Sequence, residues 1–198
     1  MNLVDRTKNI LLNPNAEWEV IRSESSTTTE LFSGYAVFLA AIPAIAGFIG
    51  YYLIGISLGA FGSIRLEIGT SLTWAILTFI LSLVSVYALA WIIDALAPSF
   101  GSTKDFISSL KVAVYAYTAV WVAGIFHIIP SLSFLAGIAG IYSLVLLYMG
   151  LKQVKLAPAD KLVAYFVVII IAAVVLYFII GAIIGSIVFR GIYFNGAM

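Results

Sequence analysis

From residue 34 onward the chain alternates long apolar runs with short polar breaks. The runs cover 34–53, 71–93, 112–129, 132–151 and 162–189. A helix needs about 20 residues to cross a hydrocarbon layer of roughly 30 Å, and four of the five runs fit that length. The last is too long for an upright span and is expected to tilt or project. None shows the period-two alternation of a barrel strand, and an isolated strand would leave its backbone polar groups unpaired in lipid. The pattern predicts an all-α, polytopic membrane protein of five transmembrane helices. Pro130, Ser131 and Ser133 mark a tight corner between the third and fourth, which are either two full spans or a re-entrant pair.

The first thirty residues have a different pattern. Leu3, Val4, Ile10, Leu11 and Leu12 are interleaved with Asp5, Arg6, Lys8 and Asn9. Asn13-Pro14 then has the form of an N-cap followed by proline at the first helical position, with Glu17 early enough to favour the helix dipole. Trp18 and Ile21, three apart, share one side. Two readings stay open: an amphipathic helix lying on the membrane surface through Trp18 and Ile21, or a solvated tail. Ser23 to Thr29 reads as a linker. The expected division is an N-terminal segment at 1–33, a five-helix domain at 34–189 and a short outer tail at 190–198.

Composition strengthens the lipid reading. Of 198 residues, 63% are hydrophobic and 10% charged, against about 45–50% and 25% in a soluble domain. Mean hydropathy is +1.14. A formal net charge of +1 gives no basic patch for nucleic acid. The absence of cysteine removes disulfides, thiol nucleophiles and thiolate metal sites. Charged residues precede any long apolar run, unlike a cleavable signal peptide. If five helices alternate, Arg6, Lys8, Arg22, Lys104, Lys111, Lys152, Lys155 and Lys161 fall on one side and Arg65 and Arg190 on the other. The expectation is a cytoplasmic N-terminus and an outer C-terminus in a multi-pass cell (inner) membrane protein.

Trp74 and Trp91 sit where interfacial belt residues belong, whereas Trp121 lies near the middle of the third run and needs an interior partner for its indole N–H. Tyr117, Trp121, Gly124 and His127 step by four, three and three, so they share one helical face. With Tyr142 on the next helix they form a candidate polar crevice between the third and fourth helices. One histidine with no carboxylate beside it is a poor metal site, and the stripe serves equally well as hairpin hydrogen bonding. Asp94 ends the second helix where its charge opposes the dipole, with Lys104 and Lys111 as the candidate partners in a charged cytoplasmic site. Gly181 and Gly185 form a G-x-x-x-G, and Gly137 and Gly140 thin the fourth helix, all candidates for helix packing. Ala36, Ala40 and Ala44 share one side of the first, and Pro43 is placed to kink it.

Several of these marks form a wider pattern. Asn13-Pro14 with Glu17-Trp18 and Ile21 is followed by Ile93-Asp94, Pro98, Phe100, Gly101 and Phe106. Tyr115 to Trp121, Pro130, and Gly140-Ile141-Tyr142 closing at Gly150 complete it. In these the chain resembles the Yip family (Ypt-interacting proteins), specifically its bacterial and archaeal members. The resemblance implies a five-helix integral membrane domain with a cytoplasmic N-terminus. Eukaryotic relatives are linked to Rab-type GTPases and to traffic between endoplasmic reticulum and Golgi, but their Asp-Leu-Tyr-Gly-Pro signature is not matched here, so GTPase binding does not carry over.

No H-E-x-x-H or Walker motif occurs, nor any paired intramembrane aspartates, and no motif calls for a cofactor. The expectation is a non-enzymatic membrane protein acting in membrane organisation or as a partner-binding scaffold. Its surroundings would be the lipid bilayer, a cytoplasmic protein partner and further copies of itself. The alternative is a small-solute or ion permeation protein using the crevice.

Overall fold

The computed structural model describes residues 2–57 and 63–195, with side chains to Val188, those of Ser57 and Ser63 excepted. Two short helices, α1 (Leu3–Leu12) and α2 (Pro14–Ser23), precede five long ones. These are α3 (Thr28–Ile54), α4 (Ile68–Phe100), α5 (Phe106–Ile128), α6 (Pro130–Gln153) and α7 (Ala159–Asn195). All five are long and apolar enough to cross a membrane. Between α3 and α4 a two-residue antiparallel ladder joins β1 (Ile56–Ser57) to β2 (Ser63–Ile64). The residues expected as an outer tail begin inside α7, and 196–198 lie outside the described residues.

Helix starts follow local chemistry. The Asn2 side chain accepts from the Val4 N–H to open α1, and Pro14 occupies the first position of α2. Thr27 and Glu30 form a reciprocal capping box that starts α3 inside the expected linker. Asp105 accepts from the Ile107 N–H to open α5. Gly101, at φ 73°, ends the short 3₁₀ turn that closes α4.

The long helices overrun the apolar runs at one end of the bundle. There α3 begins at Thr28 rather than 34, α4 continues to Phe100 rather than 93, and α5 starts at Phe106 rather than 112. The overruns form a helical collar on the N-terminal side, and α1 and α2 pack into it. Ile10, Trp18 and Ile21 are fully buried. This corrects the membrane-surface assignment of Trp18 and Ile21: they face the bundle, and Val4, Leu12 and Val20 are the exposed apolar residues of the pair. Trp18 meets Tyr115 edge-on at 6.2 Å and fits a notch left by Gly150, where a Cβ would stand 3.0 Å from the indole.

Helix α5 is the hub. Its apolar window is 67% buried, against 6% for α7. It packs on α3, α4 and α6. Close approach comes from Gly124, where a Cβ would stand 2.5 Å from Pro43 of α3, and from Gly47, whose Cβ would overlap Trp74. Ala36, Ala40 and Ala44 are buried along α3. By contrast, Gly137, Gly140 and Gly181 have nothing within 4 Å of a built Cβ. These glycines were candidates for helix packing, yet they face open space; the backbone contacts are made elsewhere. Gly185 lines a cavity with Gly181.

Trp18→Ala should lower stability in detergent by about 3–5 kcal/mol, as for other fully buried aromatics, measured by chemical or thermal unfolding. Gly124→Leu should be strongly destabilising, whereas Gly137→Leu and Gly181→Leu should melt within a few degrees of the parent. Equal losses at all three positions would contradict the assignment of close approach to Gly124.

Candidate functional site

Five charged side chains are buried among the described residues: Arg6, Glu17, Asp94, Lys111 and Lys155. All lie in the N-terminal collar. A buried charge is tolerated only when paired or heavily hydrogen-bonded, and the collar supplies both. The Arg6 guanidinium donates to Glu17 at 2.5 Å and also to Glu24, and it stands 5.5 Å from the centroid of Tyr115. Burial works against its charge, but the Glu24 hydrogen bond and the fields of Tyr115, Glu24 and Glu17 outweigh that and hold Arg6 above its ordinary value. Lys111 donates to the backbone carbonyls of Ile21, at 2.9 Å, and Glu24. Those carbonyls close α2, so the ammonium complements the negative end of that helix.

Asp94 therefore does not pair with Lys104 or Lys111. Lys111 is committed to α2 and Lys104 is exposed. The partner is Lys155, 3.7 Å away, with Ser109 donating to Asp94 at 3.2 Å. Lys155 also donates to the carbonyls of Thr103 (2.8 Å) and Asp105 (3.2 Å), while Ser102 donates to the Lys155 carbonyl. The turn after α6, with Leu156 at φ 49°, brings this lysine inward. Burial pulls its amine below the ordinary lysine value, partly offset by Asp94 and Asp105. The α4–α5 and α6–α7 loops are thus stitched together by one ammonium group. In sequence Lys155 counts only as a topology charge, because nothing local signals a side chain whose ammonium reaches Asp94, Thr103 and Asp105, far earlier in the chain.

The polar crevice exists, but between other helices. Tyr117, Trp121 and His127 line a cavity of about 530 Å³ with Trp74, Thr78, Ser82 and Ser85 of α4 and a face of α7 from Tyr177 to Val188. Tyr142 is not part of it: its hydroxyl donates to the Leu11 carbonyl at 2.7 Å and fastens α6 to α1. No described residue of α6 lines the cavity, so the expected position between the third and fourth helices is corrected to one bounded by α4, α5 and α7, with Pro43 and Tyr51 of α3. Trp121 is buried and its indole N–H donates to Ser82 at 2.8 Å. The hydroxyls of Tyr117 and Ser85 are 3.2 Å apart. Nδ1 of His127 lies 2.9 Å from the Gly124 carbonyl; since a carbonyl only accepts, Nδ1 carries the proton. The recurrence of Thr78, Ser82 and Ser85 at helical spacing was the available sequence signal for the α4 wall.

Asp94→Asn removes the carboxylate that pairs with Lys155 and should cost about 3 kcal/mol. Adding Lys155→Met should recover much of that loss, whereas Lys104→Ala should stay within about 0.5 kcal/mol of the parent, all read by unfolding in detergent. A pH dependence follows from Asp105. Burial pushes its carboxyl up, but the Ser108 hydroxyl, the Ser108 and Ile107 N–H groups and Lys155 outweigh that and hold it below the ordinary carboxylate range. The unfolded chain then binds this proton better than the folded one. The contribution to stability is complete above about pH 4 and is lost as the pH falls through the folded-state value. Asp105→Asn should flatten that acid limb in a melting-temperature profile.

Comparison with known proteins follows the same outline. The Yip1 domain profile matches residues 8–189. Inner membrane protein YohC of Escherichia coli K12 is 27% identical over 145 residues, covering 71% of this chain and 74% of that protein. The protein of the same name from Escherichia coli O6:H1 gives the same figures. No solved structure matches. The profile begins within α1 and ends on α7, taking in both the collar and the five long helices, and the chain belongs to the Yip1 domain family.

Proposed function

We propose that the protein is a non-enzymatic, multi-pass inner-membrane protein that serves as a partner-binding scaffold through its collar, with the collar on the cytoplasmic side. The single observation carrying this is that α1 and α2 are locked onto the helix ends by buried charge, through Arg6 with Glu17 and Glu24 and through Lys111 with the end of α2. A rigid, charged platform is what a docking surface requires, since little ordering entropy then remains to be lost on binding. A polar recess of about 540 Å³, lined by Arg6, Glu24, Ser25, Ser26, Glu30 and Ser33 among others, opens on that platform. It suits a side chain or segment rich in hydrogen-bond donors. The distribution of lysine and arginine favours the cytoplasmic assignment, and likeness to an inner membrane protein of Escherichia coli supports the location. In this reading residues 1–33 make up the platform together with the exposed parts of 94–111 and 152–161.

Permeation through the crevice is the weaker reading. On the collar side of Ser85 and Tyr117 the helices close: Val86, Leu89, Ile93 and Val114 are buried, and Tyr165 donates to the Ile93 carbonyl. A conduction path would need an opening there.

The native chain has no cysteine, so single-cysteine labelling tests the orientation. Ser25→Cys and Lys104→Cys should resist a membrane-impermeant maleimide in intact cells, whereas Ile64→Cys should react. The reverse pattern would remove the cytoplasmic platform. In liposomes the protein should pass no small solutes or ions; a flux abolished by His127→Ala or Trp121→Ala would replace the scaffold reading with permeation.

A further inference from the structure

The wedge between α4 and α7 has a chemistry that the scaffold reading does not use. At the collar end the two helices are tightly joined. Leu162, Tyr165 and Ile169 of α7 are buried there, and Tyr165 stacks on Phe100 at 4.9 Å. Beyond Ile169 the helices part. No described α7 side chain is buried again until Val188. The cavity fills this gap, with Thr78, Ser82 and Ser85 on one wall and Tyr177, Ile180, Gly181, Ile184 and Val188 on the other. From Trp74 to Ser85 it runs about 16 Å along α4, at 1.5 Å per residue. Its mouth carries Trp74 and His127, its floor Ser85 and Tyr117.

The hydroxyls of the α4 wall have unused hydrogen-bonding capacity. Thr78 Oγ1 is buried without a partner. Ser82 accepts from Trp121, and its own proton has no acceptor among the described residues. Of the Ser85–Tyr117 pair one hydroxyl donates and the other keeps its proton free. These groups lie at bilayer depth, where water does not replace a missing partner and an unmade hydrogen bond is costly. What they have in common is a demand for an acceptor. Among the described residues no lysine, arginine, aspartate or glutamate lines the cavity, so a charged headgroup has no counter-charge at the floor. The volume is within the usual range of small-molecule sites, about 300–1,000 Å³.

We propose that this wedge binds a neutral, membrane-dissolved lipid whose carbonyl or hydroxyl oxygen accepts hydrogen bonds from the α4 hydroxyls while its hydrocarbon lies along α7. Prenyl quinones and long-chain alcohols share that chemistry. The half-exposed wall of α7 gives such a molecule lateral entry from the bilayer, so it need never cross water.

The test uses the full chain in phospholipid nanodiscs and reads tryptophan fluorescence. Trp74 and Trp121 line the cavity, whereas Trp18 and Trp91 do not. Decylubiquinone, which quenches indole emission, should quench saturably and be displaced by dodecanol. Dodecane, which lacks an acceptor, should not displace it. Thr78→Val, which removes an unpartnered hydroxyl, should weaken binding about fivefold without lowering the melting temperature. Ser82→Ala should weaken it too but melt lower, because the Trp121 N–H loses its acceptor. Gly181→Phe should abolish binding by filling the wedge. Quenching that rises linearly, or is unchanged in Gly181→Phe, would reduce the effect to partition into lipid and overturn the site. Displacement by dodecane as effective as by dodecanol, or affinity unchanged in the hydroxyl variants, would overturn the acceptor chemistry. Effective displacement by added anionic phospholipid would overturn the neutral class.

Discussion

The cost of burying charge governs the architecture at one end of this molecule. An isolated ammonium, guanidinium or carboxylate cannot be withdrawn from water without a compensating partner, and five such groups are withdrawn in the collar. Each can be folded only if a specific neighbour arrives with it. Arg6 needs Glu17 and Glu24, Lys111 needs the carbonyl end of α2, and Lys155 needs Asp94 and two loop carbonyls. Residues far apart in the chain are therefore obliged to meet. The N-terminal helices become part of the membrane domain instead of hanging from it.

The hub helix α5 carries this constraint into the membrane. Its collar end holds Ser109 and Lys111, which answer Asp94 and α2, and the next turns present Tyr115 to Trp18, Arg6 and Tyr35. Deeper still, Thr118 meets the Tyr35 hydroxyl at 2.9 Å, and Tyr117 and Trp121 turn to α4. The polar and aromatic residues of this helix are thus shared among four neighbours, α1 to α4. At the far end Gly124 lets Pro43 press against the backbone. A helix in this position gains packing on nearly every side, which explains why it is the least hydrophobic of the five spans and still the most buried.

Helix α7 shows the opposite balance. It is the most apolar of the five and the most exposed, held chiefly through Leu162, Tyr165 and Ile169 near the collar. With no hydrophobic force drawing one apolar helix to another in lipid, a long helix stays only where side chains interlock or hydrogen-bond. Tyr165 provides such a bond; Gly181, with open space around it, does not. The wedge between α4 and α7 is the geometric result of fastening a long rod near one end.

The number of spans and their helical nature were legible in the sequence because each is a local matter. Run length, the lack of alternation, Asn13-Pro14 before α2 and the apolarity of 162–189 needed no knowledge of neighbours. The position of Trp121 in the interior and the shared face of Tyr117, Trp121 and His127 followed from helical spacing alone. Partner choice did not. Spacing places Tyr142 beside a hairpin neighbour and Lys111 or Lys104 beside Asp94, whereas the folded chain sends Tyr142 to Leu11, Lys111 to Ile21 and Lys155 to Asp94. Trp18 looked like a membrane-surface residue because its sequence neighbours are polar, and only the notch at Gly150 gives it an interior site. Periodicity says which residues share a face of one helix; which helix that face meets is decided by packing and by where buried charge can be satisfied.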